Sequence, residues 1–539
     1  PISRLLVRRL ATKLTAEASG DIGADATMAE IAVRYKTQWM EEPDKTCWGF
    51  SPKIRIFVCG ALAVLCTLLL IVIMVLYGLD VVAFYAPTVE RDFSTSVEAY
   101  SIYTHLVALQ DIAAEYNNSR AMDLGYNASV DYVATQLEPY ASYFDFEQQY
   151  FTVDQVRDLV EPELSLVAPQ AVDYVYGVDF IPMEYSGSGT VTNEAVVYVG
   201  EGCDEAAYTN AGFPPGAAVA LAVRTSTCRV RDQAAVAAQV QVLGLMIYNS
   251  EDGLFSSSAK TVYNFPIFSL SHEVGTYMVQ TMLTDPVSVT MYSLTEEYTS
   301  VTSNYLAQTK GGAMDSIIIT GSHLDSVPEG PGINDNGSGS AANLEMAIQF
   351  AKLELEPVNS VIFAWWGAEE LGLKGSTYYV AQLKANGGLE NVALNLNYDM
   401  IGSANYFRGI YNGSQADANI RTACETITRS YEGWFDEHKF AFAMTEFDGR
   451  SDYGPFLEED IPAGGLFTGA EQLKTVEERL HFQGLANSPY DSCYHKHCDT
   501  VENINRQGLA VMADAAAQVV YDLAMQDNLR EFLNGTLVE

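Results

Sequence analysis

Residues 321–339 read GSHLDSVPEGPGINDNGSG and place His323, Asp325 and Asp335 among five glycines, directly after the apolar run Ser316–Thr320. Glu369 and Glu370 follow a second apolar run that ends in Ala364-Trp365-Trp366. Asp399 closes a third, and His495 stands near the C-terminus inside CYHKHC. Taken singly, each has an ordinary explanation: acidic pairs are mostly solvated helix faces, and a lone imidazole is mostly a satisfied core residue. Together they crowd carboxylates and imidazoles into one pocket, where they repel one another unless a cation is present. Mixed His/Asp/Glu ligation without a thiolate suits Zn²⁺, with Mn²⁺ or Co²⁺ as substitutes. Two ions about 3.5–4 Å apart, bridged by one carboxylate, would absorb this much charge and activate a shared water. Such an open arrangement is catalytic rather than structural.

Elements must bring these residues together. The segments 315–320 (DSIIIT), 360–367 (SVIFAWWG) and 392–399 (VALNLNYD) read as buried strands, and helical patterns follow at about 339–353 and 372–385. Near-continuous apolar strands alternating with helices predict an α/β fold with a mostly parallel central sheet flanked by helices. Ligands in such folds sit outside the carboxyl ends of the strands, where the acidic residues and imidazoles stand here. Asp335 lies on a turn that Gly332, Gly337 and Gly339 make permissive. Upstream, about 97–140 carries a helical pattern. From about 168 to 300 short Val-, Ala- and Tyr-rich runs alternate with Gly and Pro, predicting an inserted β-rich unit.

The chain has 539 residues, 48% hydrophobic and 18% charged, with a formal net charge of −39. That balance excludes a nucleic-acid partner, since nothing neutralises phosphates. The first 55 residues carry nine Lys/Arg against seven Asp/Glu, so the acidity lies beyond them. Between the two regimes, 56–79 holds no charge and is long enough to cross a bilayer core of ~30 Å as a helix. Lys53 and Arg55 precede it and Asp80 follows, predicting a cytosolic N-terminus and a lumenal or extracellular remainder, in a vacuole- or lysosome-like compartment or at the cell surface. The expected organisation is a cytosolic tail (1–55), a signal anchor (56–79), a stalk (80–98), a first catalytic part (99–165), the inserted unit (166–300) and the main catalytic part (301–539).

Cysteine usage fits an oxidising compartment: Cys203 with Cys228 and Cys493 with Cys498 are the expected disulfides, leaving Cys424. A zinc knuckle in CYHKHC is the rival reading. Sequons at Asn117, Asn127, Asn412 and Asn534 predict glycosylation, whereas Asn336 falls in the glycine-rich turn and is expected to stay unmodified.

In order along the chain, HLDS, PGINDNGSGSAA, WWGAEELGLKGS, LNYDMIGS, DGRSDYGPF, GGLFTGA and CYHKHCDT closely resemble the co-catalytic di-zinc aminopeptidases, of the vacuolar aminopeptidase Y and secreted bacterial leucyl aminopeptidase types. With SRAMDLGYNASVDYVATQL upstream, the resemblance covers roughly 99–165 and 300–530. The block between resembles a protease-associated domain. The resemblance implies a zinc exopeptidase fold, two Zn²⁺ per chain and peptide substrates with a free N-terminus, hydrolysed by a bridging water. It makes Asp335 the bridging carboxylate, His323 and Asp399 the partners of one zinc, and Glu370 and His495 those of the other. Glu369 would be the general base and Tyr494 the oxyanion donor. Asp325 would hold the other nitrogen of His323, and Arg450 would line the substrate site. It also implies a cis Asp335–Asn336 bond. Tyr453 departs from the Ser-Asp-His common in the family, which puts the pocket wall in question. His497 is expected to be a loop residue. A glutamate-carboxypeptidase-like exopeptidase shares this ligand set, and a ligand-depleted receptor shares the fold. Against the first stands the lack of an Arg-rich stretch for a substrate carboxylate; against the second, all five ligand positions and the base are present. A one-zinc glutaminyl cyclase is disfavoured by the presence of both His323 and Asp325. The expected reaction is removal of apolar N-terminal residues.

Overall fold

The computed structural model describes residues 93–225 and 227–536. The expected tail and membrane anchor, and the stalk up to residue 92, lie outside these. Among the described residues one helix, Arg506–Met525, is long and apolar enough to cross a membrane, and it is packed into the core.

Two eight-stranded sheets organise the chain. The long strand β1 (Phe144–Asp158) belongs to the first. The second is built from β2 (Glu163–Ala168), β3 (Val172–Asp173), β4 (Phe180–Pro182), β5 (Gly189–Tyr198), β6 (Val219–Val223), β7 (Gly244–Tyr248), β8 (Ile267–Leu270) and β9 (Ser288–Ser293). The chain then returns to the first sheet through β10 (Thr295–Thr309), β11 (Ala313–His323), β12 (Asn359–Trp366), β13 (Val392–Tyr398), β14 (Gly409–Tyr411), β15 (Ala443–Thr445) and β16 (Ala463–Phe467). The order across the first sheet is β1-β10-β12-β11-β13-β16-β14-β15.

Every residue of β12 and β13 is buried, because both faces of the sheet are covered. On one face lie helices α1 (Ala99–Glu115), α2 (Tyr126–Leu137), α3 (Gly339–Lys352), α5 (Arg421–Glu437) and α6 (Arg506–Met525), which form the main core. On the other, α4 (Lys374–Ala385) packs on Trp366 and Ile362 through Tyr379 and Val380. The three expected strands and two expected helices are present, each end within three residues of its expected place.

Three expectations are corrected. The centre of the sheet, β12-β11-β13-β16, and the edge pair β14–β15 run parallel as expected, but β1 and β10 join antiparallel, as does β14 to β16, so the sheet as a whole is mixed. The cause is β1 and β10, which form a fifteen-residue antiparallel ribbon from Phe144↔Thr309 to Asp158↔Thr295. Alternating strands on a half-solvated edge carry no marker of direction that a sequence pattern reveals. The inserted unit begins by Glu163, earlier than the expected 166, and ends by Ser293, short of the expected 300, because β2 and β9 pair with each other and the ribbon closes at 158 and 295. Finally, 93–98 is not stalk. Phe93–Ser96 is helical, and Phe93 and Val97 are buried in the main core, with Phe93 edge-on to Phe350 at 4.7 Å.

Removing the Phe93 ring leaves a cavity, so Phe93→Ala is expected to lower stability by about 3–5 kcal/mol. Denaturant unfolding checks this, and an unshifted midpoint would return 93–98 to the stalk.

Candidate metal centre

The candidate residues sit where strands stop. His323 is the last residue of β11, Glu369 and Glu370 follow β12 by three and four residues, and Asp399 comes directly after β13. Left-handed backbone marks these ends: Ala368 (φ 56°) before the Glu pair, Met400 (φ 51°) after Asp399, and His495 itself (φ 56°). Such conformations cost roughly 1–2 kcal/mol per non-glycine residue and persist only where the surroundings over-determine them. Gly332 (φ 60°) turns the chain towards Asp335; a Cβ there would fall 2.3 Å from the Asp335 carbonyl oxygen. The Asp335–Asn336 bond is cis.

Asp335 is central. Its Oδ1 lies 3.3 Å from His323 Nε2 and its Oδ2 lies 3.2 Å from His495 Nε2. His323 Nε2 is also 3.4 Å from Asp399 Oδ1, and His495 Nε2 is 3.1 Å from Glu370 Oε2. Among the described residues three groups have mutually close donor atoms: His323/Asp335/Asp399 and Asp335/Glu370/His495, which share Asp335, and His323/Glu369/Glu370. Glu369 Oε2 stands 3.8 Å from His323 Nε2. Glu370 Oε1 and Asp399 Oδ1 are buried without a hydrogen-bond partner. Orphaned carboxylate oxygens of this kind are what a cation would satisfy. The residues therefore fit a metal: each triad supplies three oxygen or nitrogen donors and leaves room for water or substrate.

The electrostatics agree. Burial, reinforced by Glu370 nearby, pushes the Glu369 carboxyl well above its ordinary range. Burial likewise raises Glu370 to about 7, against the pull of His495. Burial alone would lower His495, yet Glu370 and Asp335 lift it to about 11, and His323 is lifted by Glu369 and Asp399 in the same way. Asp335 is held well below the carboxylate range despite its burial, because both imidazoles donate to it.

The atom of Asp325 nearest to His323 Nδ1 is its backbone carbonyl at 3.2 Å, and the expected carboxylate stands at 3.6 Å. The Asp325 carboxylate also accepts the amides of Glu369 and Glu370, both at 3.2 Å. Arg450 donates to Glu471 at 2.8 Å and to the Tyr494 hydroxyl at 3.1 Å, and the Tyr494 ring stacks on His495 with centroids 3.8 Å apart. The Tyr453 hydroxyl donates to Asp448 at 2.8 Å, and its ring packs against Tyr411 and Phe447. His497 is exposed.

Both expected disulfides are present, with Cα–Cα separations of 6.1 Å for Cys203–Cys228 and 5.3 Å for Cys493–Cys498, and Cys424 is free and buried. Asn117, Asn127 and Asn534 are exposed and Asn412 is half-buried, while Asn336 is buried.

Three residues escaped the sequence reading. Ser451 donates to Asp399 Oδ2 at 2.5 Å. The buried Arg120 guanidinium donates to the carbonyls of Leu324, Pro331 and Gly332, fastening both loops that carry His323 and Asp335. Asp499 accepts the amides of Asn334 and Asp335. All three stand in quoted motifs, but nothing local marks a hydroxyl, guanidinium or carboxylate that serves a residue tens or hundreds of positions away. Beyond the cluster the cleft is lined by Met400, Tyr411 and Phe467 together with the polar Glu446, Asp448 and Gln472.

Residues 304–520 match Peptidase family M28. Over 450 residues the chain is 37% identical to the Aminopeptidase of Pseudomonas aeruginosa (strain UCBPP-PA14), covering 80% of this chain and 81% of that protein. The chain belongs to peptidase family M28. Leucine aminopeptidase 2 of Arthroderma otae is 32% identical over 426 residues, 77% of this chain and 82% of that one. The M28 fold is shared with the solved aminopeptidase from Aneurinibacillus sp. strain AM-1, at TM-score 0.66 and 22% identity, over 81% of this chain and 97% of that one. BSAP, a zinc aminopeptidase from Bacillus subtilis, aligns at TM-score 0.59 and 20% identity, over 80% of this chain and 96% of that one.

Two outcomes are expected of Zn²⁺ titrations. Asp335→Ala weakens both triads, whereas His495→Ala leaves His323, Asp335 and Asp399 able to hold an ion; equal losses in the two variants would deny Asp335 its shared position. Zinc uptake by the metal-stripped protein at pH 7 releases protons, since imidazoles and glutamates raised in affinity hold them beforehand, and uptake weakens as pH falls. Calorimetry in buffers of different ionisation enthalpy reads the release directly.

Proposed function

We propose that this chain is a membrane-anchored zinc aminopeptidase that hydrolyses the first peptide bond of substrates with a free N-terminus, with an apolar residue preferred at that end. The observation that carries this reading is Asp335, whose two oxygens each face a different imidazole within 3.3 Å. Kinship with proteins named aminopeptidases supports the reaction, and the walls formed by Met400, Tyr411 and Phe467 support the apolar preference.

His323, Asp335 and Asp399 would hold one Zn²⁺ and Asp335, Glu370 and His495 a second, and the pair when bound would polarise the scissile carbonyl and acidify water. Glu369 stands beside both triads without belonging to either minimal set. Burial makes its carboxyl more basic, which suits it to take the proton of the attacking water and pass it to the leaving nitrogen. Tyr494 Oη accepts from Arg450, so its own hydrogen is free to donate to the oxyanion of the transition state. Arg450 thus acts through Tyr494 as well as lining the cleft. Asp325 acts by fixing the Glu369 and Glu370 amides.

The remaining assignments complete the reading. The β-rich unit of 163–293 is a protease-associated domain, inserted at the open end of the β1–β10 ribbon. Residues 56–79 anchor a type II membrane protein whose catalytic part faces a lumen or the cell exterior. The two disulfides and the exposed Asn117, Asn127 and Asn534, with Asn412, suit that compartment as bonds and glycan acceptors.

Leucine p-nitroanilide and its N-acetylated form, offered to the purified protein with and without a zinc chelator, test the reading. Only the free amine is expected to be cleaved, with activity lost to chelator. Glu369→Gln is expected to lower kcat by about 10²–10⁴-fold with the zinc content unchanged. Cleavage of the blocked substrate, or turnover that survives in Glu369→Gln, would sink it.

A further inference from the structure

The loop that carries Asp335 has no regular partner. Residues 331–335 run through a left-handed glycine and an irregular turn, with Asp335 at φ −105°, ψ 95°, so their buried amides cannot be satisfied by a ladder or a helix. All three consecutive amides converge on one residue. The Ile333 amide donates to the Asp499 carbonyl at 3.0 Å, the Asn334 amide to Asp499 Oδ1 at 2.9 Å, and the Asp335 amide to Asp499 Oδ2 at 3.0 Å. Asp499 is 1% exposed. It is also the first residue after Cys498, so it closes the disulfide-bounded loop that presents His495, and its own amide donates to Lys496 in that loop at 3.0 Å.

A second carboxylate backs the first. Asp491 accepts the Cys493 amide at 2.8 Å, at the entrance to the same loop, and the Asn334 side-chain amide at 2.6 Å. The Asn503 side-chain amide joins the two, donating to Asp491 at 2.9 Å and to Asp499 at 3.0 Å. The entrance and exit of the His495 loop are therefore both tied to the segment that ends in Asp335. Three consecutive amides held by one buried residue fix an irregular segment that no ladder or helix could satisfy.

We propose that Asp499 is the positioning residue of the metal centre, setting the bridging Asp335 and His495 in register from a single carboxylate that touches neither metal nor substrate. This rests on the di-zinc reading of Asp335. It makes the site one rigid body across 160 residues of chain: displacing Asp499 moves the shared carboxylate relative to the imidazole facing its Oδ2, and so acts on metal affinity before it acts on substrate binding.

The test is competition of the metal-stripped full chain with a chromophoric chelator for Zn²⁺, for wild type, Asp499→Asn and Asp499→Ala. Asparagine keeps the shape and one acceptor but turns an NH₂ towards an amide N–H. Zinc affinity is expected to fall about 10–100-fold in Asp499→Asn, the range for groups that orient metal ligands, and further in Asp499→Ala. With saturating zinc, kcat is expected to fall while KM for leucine p-nitroanilide stays within about twofold, since the substrate walls do not touch Asp499. In Co²⁺-loaded protein the visible absorption bands are expected to shift in position, a change that a general loss of stability does not produce. If Asp499→Asn fails to fold, Asn503→Ala, which removes one donor to Asp499, is expected to weaken zinc in the same direction by less. Wild-type zinc affinity and Co²⁺ spectrum in folded Asp499→Asn, or in Asn503→Ala where that variant must stand in, would overturn the proposal while leaving the di-zinc reading intact. A wild-type chain that takes up no zinc would overturn both.

Discussion

Like charges held a few ångströms apart in a buried cleft are the constraint on which the rest of this structure depends. Two carboxylates 4 Å apart repel by about 4 kcal/mol at the effective dielectric of a protein site, and a whole domain is stable by only about 5–15 kcal/mol. Asp335, Glu369, Glu370 and Asp399 gather within reach of His323 and His495, so several such terms act at once. Protons or cations must compensate them. The alternation of imidazole and carboxylate, the orphaned oxygens of Glu370 and Asp399, and the raised proton affinities of Glu369, Glu370 and both imidazoles express that one requirement.

Holding the cluster together calls for a rigid frame around it, and the frame is made mostly of backbone amides bound to buried side chains. Asp325 binds the amides of the Glu369–Glu370 pair, Asp499 those of the Asp335 turn, and Arg120 the carbonyls just after His323 and at the start of that turn. Left-handed residues at Ala368, Met400 and His495 lie where the chain must leave a strand or loop abruptly to aim a ligand inward. Buried polar networks of this kind are costly when partly satisfied and specific when complete, so their placement beside the site gives it one geometry rather than several.

The inserted unit obeys a different economy. It is joined to the catalytic sheet through the fifteen-residue β1–β10 ribbon, whose ends at Asp158 and Thr295 are paired, so the insertion enters and leaves at one point without disturbing the sheet. Its two apolar clusters lie on the faces of its own sheet and are separate from the main core. Yet it reaches the catalytic loops: Lys260 packs so tightly on Gly372, two residues past Glu370, that a Cβ there would fall 2.1 Å from its Nζ. The unit therefore forms part of the surroundings of the site rather than an appendage at a distance.

Strand ends, the parallel centre of the sheet and the ligand types were legible in the sequence, because each rests on local pattern. Ile317–Ile319, Ile362–Trp366 and Leu394–Leu396 announce buried strands by composition, and His323, Glu369, Glu370 and Asp399 declare themselves by interrupting that composition where a strand must stop. The motif order then pointed to the family, and with it to His495 and Tyr494. What local pattern does not carry is pairing. The antiparallel flank of β1 and β10, the burial of Phe93 and Val97, the two amides that Asp325 accepts in addition to facing His323, and the services of Ser451, Arg120 and Asp499 all depend on contacts between segments distant in the chain. Residue types and their spacing along a strand determined which groups could bind metal and move protons; the tertiary structure alone decided which oxygen faces which nitrogen, because hydrogen-bond partners are chosen by where the folded backbone places them and not by their neighbours in sequence.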